Sequence, residues 1–256
     1  MIIDAHSHVH VPVEDHIALL DEAGVDKTVL FMSRPHPERA RDLAALRQEM
    51  DLLHRALAGG GGAGRETAWR ELDAALTAYP DRFIGFGSVP LDAPDVGELV
   101  ERDVVGRGLR GIGELTPPPD RAALLEPVLR AATDHDGLPV VVHGAAPTTA
   151  ADLRTLADLA RRYPQVPLVV SQLGGAYWMD AIELVRDTPS MYLELSTASI
   201  VFAVRLAITE IPERTLFGSD APYGDPVTAR ITVERATRSA AVRELVLGGT
   251  AQQLLG

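Results

Sequence analysis

The sequence contains no cysteine, which excludes disulfide bonds, thiolate metal sites and a cysteine nucleophile. Lysine is almost as scarce, because Lys27 is the only lysine among 24 basic residues. Basic residues are outnumbered by 36 aspartates and glutamates, and the formal net charge is −12. A nucleic-acid partner is therefore not expected, since phosphate backbones are bound through clustered cations.

Segments that direct a chain to a membrane are also missing. The first ten residues, MIIDAHSHVH, contain an acid and histidines where a secretory signal needs cations and then an apolar run. No uninterrupted apolar stretch of about 18 residues follows, the length that a membrane helix needs. We therefore expect a cytoplasmic protein with a small-molecule substrate and no membrane partner; the composition is also compatible with a homo-oligomer.

Short runs rich in β-branched residues alternate with longer helical segments. The runs cover residues 2–5, 27–32, 82–89, 108–115, 139–143, 167–171, 191–195 and 214–218. This alternation is typical of βαβ units around a parallel sheet, and 256 residues is an ordinary length for eight such units. We predict one α/β domain over residues 1–256, folded as a distorted (β/α)8 TIM barrel. The glycine-rich run 59–64 predicts a flexible connector between two helices.

Polar side chains end four of the predicted strands, at the face where barrel enzymes carry their active sites. The first strand ends in Asp4-Ala5-His6-Ser7-His8, and the period of two places Asp4, His6 and His8 on one face. Two such imidazoles can grip one metal ion, while the acid beneath them accepts a hydrogen bond from a free ring nitrogen. The fourth, fifth and eighth strands end at Glu114, His143 and Asp220. Together these residues predict a site for one divalent metal.

Each of these residues also has a structural interpretation when it is taken singly. Asp220 could be a turn residue, His143 a core histidine, and Glu114 the partner of Arg110 in an ion pair. The remaining histidines, including His16 and His36, are expected to be solvated on loops or helix surfaces, and only the environment of His10 is left open. It is the combination on four strand ends that favours a metal site.

The same residues belong to a longer set of motifs. These are IDAHSH at 3–8, YPDRFIGF at 79–86, GIGEL at 111–115, LGG at 173–175, FGSDAP at 217–222 and LGGTA at 247–251. As a set they resemble the amidohydrolase superfamily, in particular its amidohydrolase-2 branch of metal-dependent hydrolases and decarboxylases. The resemblance implies one divalent metal, often Zn²⁺, with Mn²⁺ or another transition ion as alternatives. The residues that match its ligands are His6, His8, His143 and Asp220, and Glu114 matches an acid that ligates or borders the metal.

The chain departs from the family pattern at residue 172. The family usually has a histidine directly before Leu-Gly-Gly, and this chain has Gln172 there. Glutamine does not titrate near neutral pH and binds Zn²⁺ poorly, but its amide can orient a water or donate to a developing oxyanion. We therefore expect Gln172 to assist catalysis and Asp220, also a metal ligand, to transfer the proton.

A metal-bound hydroxide attacks carbonyl groups, so we predict a metal-dependent hydrolase of a small cyclic or acyl substrate such as a lactone, amide or ester. One alternative is a decarboxylase or other lyase of a small carboxylic acid, because the metal can hold a carboxylate as readily as a water. Another is a barrel that binds a ligand without turnover. Substrate contacts are expected from Arg34, Tyr177, Trp178 and Tyr223 on the loops, unless Arg34 forms an ion pair at a helix start and the aromatic residues only pack.

Overall fold

The computed structural model describes residues 1–57 and 62–256. Residues 59–61 of the glycine-rich run 59–64, and with them the predicted connector, lie outside the described part of the chain.

Parallel strands form the centre of the molecule. They are β1 (Ile3–His8), β2 (Lys27–Phe31), β3 (Phe83–Gly85), β4 (Ile112–Leu115), β5 (Val140–Val142), β6 (Leu168–Val170), β7 (Met191–Glu194) and β8 (Thr215–Leu216). They pair in sequence order as two sheets, β1 to β3 and β4 to β8. Single parallel bridges, Ser7 to Ala221 and Gly87 to Ile112, join the edges of the two sheets. The predicted α/β fold, with strands in (β/α)8 barrel order, is confirmed.

Helices surround the strands. They are α1 (Val13–Ala23), α2 (Leu43–Leu57), α3 (Gly62–Ala78), α4 (Val96–Asp103), α5 (Glu126–Asp134), α6 (Ala150–Arg162), α7 (Trp178–Asp187), α8 (Val201–Glu210), α9 (Pro226–Ala236), α10 (Ala240–Glu244) and α11 (Thr250–Leu255). Helix α6 begins with a capping box, in which the Thr149 hydroxyl accepts from the Asp152 N–H and the Asp152 carboxylate accepts from the Thr149 N–H, both at 3.1 Å. No helix in the described part of the chain combines the length and apolar composition that a membrane crossing requires.

The strands bury apolar side chains on both faces, as parallel strands do. In β5, Val140 and Val142 face the shell of helices, while Val141 points into the barrel with Phe31 and Phe86. At the amino-terminal end of the strands, α11 packs against this inner cluster. Because this end is filled with apolar side chains, the polar chemistry lies at the opposite end, where the strands finish.

His36, on the loop after β2, connects that loop to α2 and α3. Its Nδ1 lies 3.1 Å from Glu38 Oε1, its Nε2 lies 3.1 Å from Glu71 Oε2, and its backbone N–H donates to Glu49 Oε2 at 3.0 Å. Burial acts to lower the pKa of His36, but Glu38 and Glu71 outweigh it and raise this pKa. The sequence expectation of a solvated His36 is therefore wrong, because three carboxylates surround it.

The raised pKa of His36 predicts a pH-dependent contribution to stability. The contribution is complete below the ordinary histidine value of 6.5 and is lost as the pH rises through the raised pKa. We expect His36→Gln to lower the free energy of unfolding by about 1–2 kcal/mol at mildly acidic pH, the scale of charge-assisted hydrogen bonds, and by less at alkaline pH. Thermal unfolding across this pH range measures the effect. His54→Gln, at an exposed position of α2, is the control, and an equal loss of stability for His36→Gln at every pH would contradict the interpretation.

Candidate metal centre

His6 and His8 lie on the same side of β1, and their Nε2 atoms are 3.4 Å apart. On the other side of each ring, Nδ1 faces an acceptor: Glu194 Oε2 lies 3.0 Å from His6, and the Met32 carbonyl oxygen lies 3.3 Å from His8. These acceptors favour the tautomers that carry the proton on Nδ1. Both Nε2 lone pairs then point toward the same small volume.

Asp220 brings a carboxylate oxygen to that volume. It follows β8 and has a φ of 59°, in the left-handed region that residues other than glycine rarely adopt. Its backbone N–H donates to the His6 carbonyl at 2.8 Å. Its Oδ1 lies 3.2 Å from His8 Nε2 and 3.5 Å from His6 Nε2. This oxygen is buried, and no group in the described part of the chain donates a hydrogen bond to it.

His6, His8 and Asp220 therefore fit a divalent metal ion. One ligand atom from each lies within 4.8 Å of the other two. Two nitrogen lone pairs and a buried, undonated carboxylate oxygen repel one another unless a cation lies among them. A proton is the competing cation: burial lowers the pKa of His6, yet Glu114, Asp220 and Glu194 outweigh it and raise this pKa to about 10.

Glu114 and His143 border this group. Glu114 Oε2 lies 3.7 Å from His6 Nε2 and 3.9 Å from His8 Nε2. His143 contacts Glu114 Oε1 through Nδ1 at 3.2 Å and the Ala146 carbonyl through Nε2 at 3.0 Å. Burial opposes the effect, but His6 and His143 hold the pKa of Glu114 well below its usual range. That Glu114 and His143 ligate the metal stays a prediction.

From the sequence, Glu114 could either form an ion pair with Arg110 or lie at the metal site. Arg110 instead donates to the carbonyl of Leu255 at 2.5 Å. Glu114 is thus paired with the histidines at the carboxyl ends of the strands, which agrees with its predicted place at the site.

Gln172 links the two carboxylates of the site. Its side-chain amide donates to Glu114 Oε1 at 3.0 Å and to Asp220 Oδ2 at 3.3 Å, and its Oε1 accepts from the Gly144 N–H at 2.9 Å. An amide offers two donor hydrogens on one nitrogen, whereas each imidazole nitrogen offers at most one. Gln172 therefore orients both acids and directs Oδ2 of Asp220 away from the metal position, which leaves Oδ1 for the ion.

The acid that holds the His6 ring is Glu194, and the sequence expectation for Asp4 is wrong. Asp4 accepts from the backbone N–H groups of His6 at 3.0 Å and Ser219 at 2.9 Å, and from the Ser219 hydroxyl at 2.5 Å. It thereby ties β1 to the turn that carries Asp220. Glu194 is fully buried at the end of β7, and a charged residue ending an apolar strand was the sequence signal that could have identified it.

The predicted substrate residues lie in different surroundings. The Tyr223 ring lies edge-on to His8, with centroids 5.7 Å apart, which places it at the mouth of the site. Trp178 packs edge-on against Phe202 at 5.9 Å, Tyr177 is exposed, and the Arg34 guanidinium fills the space beside Gly64 in α3. The substrate contacts of all four residues stay predictions.

His10 and His16 form a buried pair outside the metal group. Their rings stack at 4.0 Å, and His16 Nε2 lies 2.8 Å from the Ser7 hydroxyl. The expectation of a solvated His16 is wrong, because His16 lies on the face of α1 that packs against the barrel. Burial lowers the pKa of both rings, so both are neutral near pH 7.

Replacing Glu194 should weaken metal binding. In Glu194→Gln the side chain can present an N–H to His6 Nδ1, which favours the tautomer that blocks Nε2. We expect the dissociation constant for Mn²⁺ or Zn²⁺ to rise by about 10- to 100-fold, the usual cost of losing a carboxylate that supports a ligand histidine. Titration against a chromophoric chelator measures it. The exposed Glu98→Gln in α4 is the control, and unchanged affinity in Glu194→Gln would refute the assigned role.

Several solved structures are similar to this chain over nearly its whole length. A 5-carboxyvanillate decarboxylase from Sphingomonas paucimobilis is 17% identical with a TM-score of 0.70, covering 99% of this chain and 98% of its own. An uncharacterised TIM-barrel protein from Bordetella bronchiseptica is 15% identical with a TM-score of 0.72, covering 99% and 98%. A dihydroxybenzoic acid decarboxylase from Polaromonas sp. JS666, with bound manganese and the inhibitor 2-nitroresorcinol, is 18% identical with a TM-score of 0.67, covering 99% and 96%.

No curated protein matches the chain. The solved structures share the fold of this chain. Their sequence identities to it are low, so the similarity shows the fold alone. The sequence itself matches the family described as Amidohydrolase over residues 3–256, which is nearly its whole length. The resemblance seen in the motifs is therefore confirmed, and the chain is an enzyme of the amidohydrolase family.

Proposed function

We propose that this protein is a metal-dependent decarboxylase of a small aromatic carboxylic acid. The observation that carries the proposal is the set of three converging ligand atoms from His6, His8 and Asp220, with an aromatic ring, Tyr223, at the mouth beside them. Similar structures named as decarboxylases support this alternative from the sequence over the hydrolase that the sequence first suggested.

The ligand set favours a transition ion, and we propose Mn²⁺ alongside the Zn²⁺ of the sequence prediction. Two imidazoles and one carboxylate suit either ion, and the Polaromonas decarboxylase holds manganese. When bound, such an ion supplies positive charge that holds the substrate carboxylate and draws electron density from the ring.

Decarboxylation breaks the bond between the ring carbon and the carboxylate. Carbon dioxide leaves, the electron pair stays on the ring carbon, and one proton must reach that carbon. We assign the proton transfer to Asp220, which takes a proton from a substrate hydroxyl and returns it to the ring carbon. Gln172 keeps the Asp220 carboxylate in place through Oδ2 during this exchange.

The surrounding residues position the substrate. Tyr223, packed on His8, offers an aromatic face to a substrate ring. Glu114 is held by Ser171 at 2.7 Å and by Gln172, so its charge stays fixed beside the ligand histidines. This rigid arrangement is what electrostatic catalysis requires, because the groups need no reorganisation during the reaction.

Hydroxylated benzoates, assayed with Mn²⁺ or Zn²⁺ for release of carbon dioxide, test the proposal. We expect release with at least one of them, its loss on chelation, and its return when metal is added back. In D₂O the product should carry deuterium on the carbon that lost the carboxylate. Asp220→Asn should reduce the rate by at least about 100-fold, the lower end of the range for general acid–base catalysis.

The control is the exposed Asp187→Asn in α7, which should react at the wild-type rate. Hydrolysis of lactones, amides or esters without release of carbon dioxide would overturn the proposal in favour of the hydrolase. Binding of benzoates with no turnover under any metal would overturn it in favour of a barrel that only binds its ligand.

A further inference from the structure

Helices α7 and α8 carry a patch of exposed apolar side chains. Phe202 is 57% exposed and Met179 is 61% exposed, and Val201 and Leu206 are also exposed. Phe202 packs edge-on against Trp178 at 5.9 Å, so the side chains of the two helices adjoin. Single exposed apolar residues are ordinary, but a contiguous group on adjacent helices marks an interaction surface.

Helix α8 has a second apolar face in addition to its buried one. Its buried side chains are Ala203, Val204, Ala207 and Ile208, which repeat with the helical period and pack into the core. On the opposite side the exposed stripe contains Phe202 and Leu206, with Arg205 beside them. The buried face already anchors α8 to the barrel, so the core does not account for the apolar residues of the other face.

Opposite charges flank this apolar stripe. On the α7 side, Asp180 and Glu183 are exposed beside Met179. On the α9 side, Arg205 lines one open cavity together with Arg235, Arg238 and Glu234 at the end of α9. The Glu234 carboxylate accepts from Arg230 at 2.9 Å. None of the other five charged residues of the two flanks forms an ion pair with a residue that the structure describes.

Helix geometry gives the order of the two flanks. The contact between Trp178 and Phe202, and the ion pair of Arg186 with Glu210 at 3.6 Å, place one edge of the α8 stripe against α7. Arg205 lies on the other edge, where it meets the end of α9. Across the surface, the acidic flank therefore comes first, the apolar stripe lies in the middle, and the arginine flank lies on the far side.

We propose that this surface, comprising the exposed faces of α7 and α8 and the end of α9, is the interface of a two-fold symmetric homodimer. A two-fold axis through the apolar stripe brings the acidic flank of each copy against the arginine flank of the other copy. The surface is thus complementary to itself in charge as well as in apolar character. An apolar centre with arginine at its edge is also the usual composition of such interfaces.

Sedimentation velocity of the full chain over a dilution series tests the dimer. We expect a species of twice the 27.4 kDa chain mass. The double variant Phe202→Glu and Leu206→Glu should sediment as a monomer with an unchanged circular dichroism spectrum, because both side chains are exposed. Leu43→Glu is the control, since Leu43 is 61% exposed on α2, and it should remain dimeric.

Charge reversal tests the orientation of the two copies. Arg205→Glu alone and Glu183→Arg alone should each raise the dimer dissociation constant by about 10-fold or more, and the two together should recover part of that loss. High salt should weaken the wild-type dimer. A wild-type monomer at every concentration, a dimer that survives the double glutamate variant, or an open-ended larger assembly would each overturn the proposal.

Discussion

The convergence of three electron-pair donors, Nε2 of His6, Nε2 of His8 and Oδ1 of Asp220, is the constraint on which the surrounding structure depends. Such a group is unstable in a buried place unless a cation occupies its centre. The neighbouring residues maintain it: Glu194 and the Met32 carbonyl direct the ring protons outward, and the φ of 59° at Asp220 turns its carboxylate inward. The cost of the unusual backbone at Asp220 is consistent with a functional position.

The barrel is what brings these residues together. His6 and His8 end β1, Glu194 ends β7, and Asp220 follows β8, which pairs with β7 and is joined to β1 by the bridge from Ala221 to Ser7. Bonds from Asp220 N–H to the His6 carbonyl and from Ser219 to Asp4 join the last strand to the first. A buried apolar cluster packs beneath these strand ends. The same contacts therefore join the edges of the two sheets and assemble the metal group.

Much of this arrangement could be predicted from the sequence, because it depends on local spacing. The period of two places His6 and His8 on one face, and apolar runs between helical segments predict eight strands. The roles of Asp4 and Glu194 could not be predicted in this way. Strand spacing places Asp4 beneath the histidines, but which acid reaches His6 Nδ1 depends on how β7 lies against β1 across the barrel, a distance relation that no local pattern contains. The hydrogen bond from Gln172 to Asp220 could not be predicted for the same reason, since the two residues are 48 apart in sequence.

Calorimetric titration of the chelator-treated protein with Mn²⁺ or Zn²⁺, in buffers of different ionisation enthalpy, tests whether His6, His8 and Asp220 hold a metal ion. We expect one ion per chain and release of protons on binding, because the ion displaces the proton that the same carboxylates stabilise on His6, whose pKa is raised to about 10. We also expect loss of binding in His6→Ala. Absence of binding in the wild type, or binding that is unchanged in His6→Ala, would contradict these expectations.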